Sequence, residues 1–300
     1  MESNKIGVLL GILSGIIVVC IWSGWVVVSK YGIHNDLTEW DIVIIRFFIV
    51  SVIVFPFFLF LNRSDKKKIF SLSIIICSLF YGSFYLITSL IGLKLSNAAN
   101  VGLIVNGFLP VMSAIIIYIW IREKINKIQI FAIFMIVGSS LLLLSYKSIT
   151  YEAFLLFLIS SACMSFYSVA INRWQINLKL IMIFVPIINF LFFLPFWMFL
   201  PSNLTNASLK NIAFQAVYQG IVVNLIALFF MSYLIRSLGA MRASTMMAFV
   251  PVAIILFAHL FLGEQIALST MITGVLCTVG IILYNTSKLF EKNNNKKYES

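Results

Sequence analysis

Ten apolar stretches, each about 20 residues long, follow one another along this 300-residue chain. A helix rises about 1.5 Å per residue, so about 20 apolar residues are needed to cross the hydrocarbon core of a bilayer. Backbone polar groups find no water there, and a helix satisfies them within the stretch itself. The sequence therefore predicts ten transmembrane helices, at residues 6–28, 41–61, 69–93, 98–119, 127–145, 151–171, 179–200, 212–235, 240–262 and 265–286.

The composition excludes the main soluble classes. Hydrophobic residues make up 62% of the chain and charged residues 10%, whereas soluble domains contain about 45–50% and about 25%. A large soluble catalytic domain, a disordered chain or a secreted disulfide scaffold would need more polar surface. The four cysteines lie within apolar stretches, which indicates small buried side chains rather than disulfides or a metal cluster. We expect no cofactor.

The basic residues indicate how the helices are oriented. If the N-terminus is cytoplasmic, 16 of the 21 lysine and arginine residues lie at cytoplasmic ends of the helices and four lie at outer ends. The positive-inside rule then predicts a multi-pass protein of the cell inner (cytoplasmic) membrane with both termini inside. The same residues form no basic face interleaved with aromatic residues, so the net charge of +11 does not predict nucleic-acid binding.

A pattern in the fourth stretch recurs in the ninth. Glu123 follows Pro110 by 13 residues, and Glu264 follows Pro251 by 13 residues, at an offset of 141 residues. We interpret the match as a duplication of five helices, which cross the membrane in opposite directions because five is odd. The predicted fold is an all-α polytopic membrane protein with ten transmembrane helices as two inverted five-helix repeats, a pattern typical of alternating-access transporters. The predicted domains are a first repeat at 6–145, a second repeat at 151–287 and a cytoplasmic polar tail at 288–300, in which we expect residues 291–300 to be disordered.

Several short segments, taken together, are similar to those of a known family. They are LKLSNAA at 93–99, Pro110 and REK at 122–124 in the first half, YLIRSLGA at 233–240, Pro251 and LGE at 262–264 in the second, and IWSGW at 21–25 with Arg46 near the N-terminus. Over about residues 6–287 the chain resembles a permease with two EamA domains, of the drug/metabolite transporter superfamily. The resemblance implies transport of amino acids or related metabolites, frequently outward.

The chain departs from that family pattern at a few positions. The second half has no obvious match to Trp22 and Arg46, and Ile133 stands where a glycine is common. These departures leave the substrate open.

Arg46 is the one basic residue inside a predicted helix, about 7 Å from Asp41 along the helix axis. An arginine at the bilayer centre costs about 2.5–3.5 kcal/mol on insertion scales. One interpretation is that Arg46 contacts an anionic group such as a substrate carboxylate. The other is that its side chain extends to the outer interface and pairs with Glu39, Asp36 or helix-end carbonyls.

Prolines, amides and aromatic residues near the middle of the helices complete the candidate site. A proline leaves a backbone carbonyl without its donor, which either lines a substrate cavity or kinks the helix. An amide needs a partner in apolar surroundings, either on a neighbouring helix or on a substrate. The predicted substrate-binding residues are Arg46, Trp22, Tyr85, Asn106, Pro110, Asn189, Asn224 and Pro251. A wider aromatic-walled pocket would consist of Trp22, Trp25, Tyr81, Tyr85 and Tyr167.

These features predict a secondary-active, alternating-access transporter of a small neutral or zwitterionic metabolite. The partners are that substrate and the lipid bilayer; proton coupling, exchange and oligomeric state remain open. Walker, HExxH and Gly-x-Ser-x-Gly motifs are missing from the sequence, so an enzyme is not predicted. The alternatives are a membrane-embedded enzyme, for which His259 and Glu264 are the best pair, and a non-transporting membrane subunit.

Overall fold

The computed structural model describes the backbone of residues 2–298 and the side chains of residues 7–287. Within residues 2–298 the chain is helical and contains no strand. Ten helices in this part are long and apolar enough to cross a membrane, which confirms the predicted all-α polytopic fold. They are α1 (Gly7–His34), α2 (Glu39–Leu59), α3 (Leu72–Lys94), α4 (Ala98–Trp120), α5 (Lys127–Ser145), α6 (Tyr151–Arg173), α7 (Leu178–Trp197), α8 (Leu209–Leu238), α9 (Ala240–Leu262) and α10 (Leu268–Ser287).

The helices extend beyond the predicted apolar stretches at a few ends. α1 continues to His34, and α8 begins at Leu209, because helical hydrogen bonding goes on past the hydrophobic residues that mark the bilayer core. The helical backbone after α10 runs to Tyr298, so the prediction of disorder is wrong for the backbone of residues 291–298. The tail's side chains lie outside the described residues.

Polar residues determine where several helices begin. Thr38 accepts a hydrogen bond from the Asp41 amide at the start of α2, and the Asp41 carboxylate accepts one from the Thr38 amide. Asn126 and Gln129 form the same reciprocal pair at the start of α5. These capping boxes satisfy amides that have no partner within the helix.

Both helices that carry the repeated proline are interrupted just before it. In α4 the second segment is Leu109–Trp120, and in α9 it is Val250–Leu262. The preceding residues Phe108 and Phe249, which are 141 positions apart, have nearly the same backbone angles, with φ −82° at both and ψ −5° and −9°. Proline suits the first turn of a new helical segment because its missing N–H would have no partner there.

The contacts between helices have the symmetry of the repeat. α1 packs against α8 and α9, and α6 packs against α3 and α4. The pairs α2–α7, α4–α9 and α5–α10 join equivalent helices of the two halves. Replacing each helix by its counterpart five positions along the chain leaves these pairings unchanged, as expected for two inverted five-helix repeats.

Two glycines allow close approach of the halves at related places. A Cβ atom on Gly82 of α3 would overlap the side chain of Asn189 on α7, and one on Gly220 of α8 would overlap Ile49 on α2. The pair α3–α7 is equivalent to α8–α2. Small residues at these crossings let the backbones come together, as is usual where membrane helices pack.

Candidate functional site

A cavity of about 320 Å³, which we call the central cavity, lies between the two halves. Both repeats contribute to its lining, the first through α1 to α4 and the second through α6, α8, α9 and α10. Its volume is at the lower end of the range for small-molecule sites, about 300–1,000 Å³. The space therefore fits a small metabolite.

Six of the eight predicted site residues line the central cavity. They are Trp22, Arg46, Tyr85, Asn106, Pro110 and Asn224. They come from five helices and lie up to 202 positions apart in sequence, so the fold brings them together. The other two predicted residues, Asn189 and Pro251, do not line the cavity.

Asn189 is fully buried between α7 and α3. Its Oδ1 accepts hydrogen bonds from the amide and the hydroxyl of Ser83, both at 2.7 Å. Its Nδ2 donates to the carbonyls of Ser78 at 2.8 Å and Val185 at 2.7 Å. The side chain therefore connects two helices, which accounts for a buried amide without any substrate.

Pro251 is buried at the contact between α9 and α4. Its Cα would lie 3.2 Å from a Cβ placed on Gly102. The neighbouring residue Val250 lines the central cavity instead. The two repeated prolines thus occupy equivalent backbone positions, while only Pro110 faces the cavity.

The side chain of Arg46 is directed into the cavity rather than to the outer interface. Its guanidinium carbon lies 5.8 Å from the centroid of the Trp25 ring, within the range of a cation–π interaction. The acids that the alternative interpretation requires bond elsewhere: Glu39 pairs with Lys94 at 2.9 Å, and Asp36 accepts from the Ser208 amide. The lining of the central cavity includes no acidic residue.

Aromatic rings form one wall of the site. Trp25 and Tyr85 are stacked with ring centroids 6.2 Å apart, Tyr85 and Tyr81 at 6.4 Å, and Tyr81 and Tyr167 at 4.3 Å. Trp22, the fifth member of the predicted aromatic pocket, also lines the central cavity. A second cavity of about 380 Å³, the side cavity, shares Arg46, Tyr81 and Tyr85 with the central one and includes Tyr167.

The cavities extend from Arg46 toward one face of the protein, which we call the basic face because it carries most of the lysine and arginine residues. The side cavity reaches Lys179 at the start of α7. A smaller cavity of about 210 Å³ shares Tyr284 and Asn285 with the central cavity and reaches Lys124 after α4. The site is therefore connected to the basic face.

On the opposite face, hydrogen bonds connect the helix ends. Lys30 Nζ donates to the carbonyls of Leu93 at 2.7 Å and Ser96 at 2.8 Å. The Glu264 carboxylate accepts from the Ala98 amide at 2.8 Å, at the N-terminus of α4. The lining of the connected cavities includes no residue from these turns.

The Asp41 carboxylate accepts three hydrogen bonds from the other half of the chain in a second region of the opposite face. The carboxylate accepts from the Ser202 hydroxyl at 2.6 Å, the Asn203 amide at 3.0 Å and the Trp197 indole at 3.3 Å. These bonds connect the start of α2 to the turn between α7 and α8, so the two halves are joined on this side.

The structure adds cavity residues that sequence reasoning missed. They are Ser113, Ser244, Tyr284 and Asn285, among others on α4, α9 and α10. Ser244 and Asn285 lie near ends of apolar stretches, where polar residues are ordinary. In the sequence each of these residues is an amide or a hydroxyl within or beside an apolar stretch. That pattern does not distinguish a residue that lines a cavity from one that lies at the membrane–water interface.

Two further features do not belong to this site. A groove of about 640 Å³ between α1, α8 and α9 has a mainly apolar and aromatic lining and shares no lining residue with the central cavity. His259 Nδ1 contacts the backbone carbonyl of Glu264 at 3.0 Å, while the Glu264 carboxylate bonds to α4. The two side chains therefore do not form an acid–base pair.

Comparisons with known proteins agree with this architecture. A family model described as the EamA-like transporter family matches residues 9–145 and 152–286. Among 27 matching chains of solved structures, one titled "Crystal structure of protein" has a TM-score of 0.61 and 16% sequence identity, over 91% of this chain and 95% of that chain. At that identity the likeness shows the fold alone. The chain matches no curated protein.

Proposed function

The chain belongs to the EamA-like transporter family, and from this premise we propose that it carries a small zwitterionic metabolite, of the amino-acid class, by alternating access. Members of this family are transporters rather than enzymes, and we assign no enzymatic activity to the chain. The positive-inside distribution supports an inner-membrane orientation with both termini in the cytoplasm. Export is the direction that the family resemblance favours.

The charge of Arg46 inside the cavity is the observation that carries the substrate assignment. The acidic residues nearest along the sequence bond to other groups, and neither the central nor the side cavity includes a carboxylate in its lining. A carboxylate from the substrate would supply the missing counter-charge. Such charge-assisted hydrogen bonds are about twice as strong as neutral ones.

The rest of the central cavity suits the ammonium end of a zwitterion. Asn106, Asn224 and Ser113 provide neutral oxygen acceptors in the lining. The aromatic faces of Trp25 and Tyr85 attract a cation through their ring quadrupoles. A substrate with a positive charge and no carboxylate would be repelled by Arg46. A phosphorylated substrate usually binds several basic side chains, and the central cavity offers one arginine.

The arrangement of the halves supports an alternating-access mechanism. The cavities extend to the basic face while hydrogen bonds connect the helix ends on the opposite face, as expected for a transporter open to one side. Inverted repeats can exchange their conformations, which would open the opposite face and close the basic one. The same binding site then meets each side in turn.

Counterflow in proteoliposomes tests this function. Vesicles loaded with an unlabelled neutral L-amino acid, such as leucine, phenylalanine or threonine, should take up the same labelled amino acid with saturable kinetics. Arg46→Gln should lower uptake about tenfold or more, because a charge-assisted bond contributes about 1.5–3 kcal/mol. Arg63→Gln, in the connection between α2 and α3, is the matched control.

Competition by analogues tests the role of the carboxylate. The amine obtained by removing the carboxylate from each transported amino acid should compete poorly. Equal competition by amine and amino acid, or full uptake by Arg46→Gln, would contradict the substrate assignment. Linear flux that does not saturate would indicate a channel instead of a carrier.

A further inference from the structure

Two glutamines lie one helical turn apart on α8, within the membrane-spanning part. Gln215 and Gln219 are both fully buried, and both face α1. Uncharged amides are costly in such surroundings unless their groups are bonded. Their hydrogen bonds therefore indicate what each side chain does.

Gln219 bonds directly to a residue of the binding site. Its Oε1 accepts the indole N–H of Trp25 at 2.8 Å, and its Nε2 donates to Ser29 Oγ at 2.9 Å and Gln215 Oε1 at 3.2 Å. An indole nitrogen can only donate, so the orientation of the Gln219 amide is determined by Trp25. Gln219 itself does not line the central cavity.

Trp25 in turn determines the surroundings of Arg46. The indole stacks on Tyr85 at an interplanar angle of 25°, and the Arg46 guanidinium lies over the indole ring. Rotation of the indole would remove the surface against which Arg46 packs. The hydrogen bond from Trp25 to Gln219 holds the indole in place, and it therefore also holds the Arg46 guanidinium that packs on the indole.

Gln219 has a second connection to the cavity through its main chain. Its carbonyl oxygen accepts a hydrogen bond from Asn224 Nδ2, and Asn224 lines the central cavity. Both residues lie in Ala216–Ile226, where α8 has the wider turn of a π-helix. Such turns direct side chains differently from an α-helix and are frequent at functional sites.

Gln215 provides the contrast. Its Nε2 donates to the Val28 carbonyl at 2.7 Å and its Oε1 accepts from Gln219 Nε2 at 3.2 Å, so it connects α8 to α1 and contacts Gln219 but does not bond to Trp25 itself. Gln215 therefore already joins α8 to α1 one helical turn from Gln219, and the bond from Gln219 to Trp25 is not needed for that purpose alone.

We propose that Gln219 is a positioning residue of the transport site, which holds Trp25 and Asn224 in place so that Arg46 can receive the substrate carboxylate. The proposal rests on the proposed function for the nature of the ligand. The position of Arg46 itself can be measured without any ligand.

Transport kinetics of the full chain, with labelled L-leucine as the probe, provide the first test. Gln219→Met should raise KM about tenfold, as expected for a misplaced charge-assisted contact, and change the maximal rate less than twofold. Gln219→Glu, whose neutral form retains an acceptor for the indole, should restore KM to near that of the wild type. Gln215→Met removes the bond to the Val28 carbonyl and the acceptor for Gln219 Nε2, but leaves the bond from Trp25 to Gln219 Oε1, so KM should stay within about twofold of the wild type.

A double-mutant cycle identifies the route of the effect. Trp25→Phe keeps a ring but loses the N–H, so the double variant Trp25→Phe, Gln219→Met should have a KM no higher than either single variant. Equal effects of Gln215→Met and Gln219→Met on KM would overturn the proposal. So would a loss of thermal stability in Gln219→Met with an unchanged KM.

Nuclear magnetic resonance of arginine-labelled protein in nanodiscs provides the ligand-free test. The side-chain signal of Arg46, assigned through Arg46→Lys, should carry a ring-current shift from Trp25. Gln219→Met should lose that shift and Gln215→Met should retain it; an unchanged shift in Gln219→Met would overturn the proposal. If the wild type takes up no amino acid, the proposed function fails, while this comparison still decides whether Gln219 positions Arg46.

Discussion

Two asparagines show how one side chain serves different purposes in this fold. Asn106 lines the central cavity, whereas Asn189 is fully buried and bonds to the backbone and side chain of α3. An amide in a membrane needs partners in either case. For Asn189 the protein supplies them, and for Asn106 a substrate can.

Replacing each asparagine by alanine should separate these roles. Asn189→Ala leaves the Ser83 amide without its acceptor, so the free energy of unfolding should fall by about 1–2 kcal/mol and the melting temperature by a few degrees, with KM unchanged. Asn106→Ala should change KM and leave the melting temperature nearly constant. Thermal unfolding in detergent and uptake in proteoliposomes measure the two effects. The same pattern in both variants would show that the assignment is wrong.

The sequence identifies both asparagines as polar residues within apolar stretches, but it does not show which one lines the cavity and which one joins two helices. A lone polar residue in an apolar stretch indicates that some partner exists, and both asparagines give that signal. The partner of Asn189 lies more than 100 residues away on α3, and no periodicity within α7 reveals it. Arg46 was easier to recognise, because a charge inside a membrane helix has few interpretations.

At the scale of single helices, the two halves deviate from regular geometry at equivalent places. α3 contains a π-helical segment at Phe80–Phe84, and its counterpart α8 contains one at Ala216–Ile226. Each carries a cavity residue, Tyr81 in the first and Asn224 in the second. The breaks before Pro110 and Pro251 could be predicted because proline marks them, whereas the wide turns could not, since no residue type marks them.

The contact between the broken helices α4 and α9 should be sensitive to side-chain size. Any Cβ at Gly102 would lie 2.9 Å from Ile254 and 3.2 Å from the Pro251 backbone, while a Cβ at Gly138 meets nothing within 4 Å. Gly102→Val should therefore lower the free energy of unfolding by about 1–3 kcal/mol through overpacking. Gly138→Val should be close to neutral. Melting temperatures of the purified variants check this, and equal values would contradict the close packing of α4 on α9.

At the scale of the whole molecule, the two faces differ although the two halves are related by symmetry. The cavities reach the basic face, whereas hydrogen bonds join the helix ends on the opposite face. The number of helices, their inverted order and the repeat could be predicted from sequence, because hydrophobic length and the Pro–Glu spacing determine them. The sequence could not predict which face the cavities reach. That difference depends on long-range bonds such as those from Lys30 of α1 to the turn after α3, which join residues more than 60 positions apart.

Glu264 should contribute strongly to closure of the opposite face. Its carboxylate accepts from the Ala98 amide at the positive end of α4, and Lys30 bonds to carbonyls at the end of α3 on the same turn. Both charges therefore complement the helix ends they contact. Glu264→Gln removes the charge, so the population open to the opposite face should rise about tenfold, which corresponds to one charge-assisted bond.

Cysteine labelling can measure this shift in population. Ser113 lines the central cavity, and a Cys20→Ser background leaves three buried cysteines. With the basic face inside the vesicle, an impermeant maleimide added outside should label Ser113→Cys faster when Glu264→Gln is present. Glu152→Gln, an exposed acid in the first turn of α6 on the same face, should leave the rate unchanged. Equal labelling in all three proteins would mean that the bonds at the α3–α4 turn do not restrain opening, and that closure depends on other contacts such as those of Asp41.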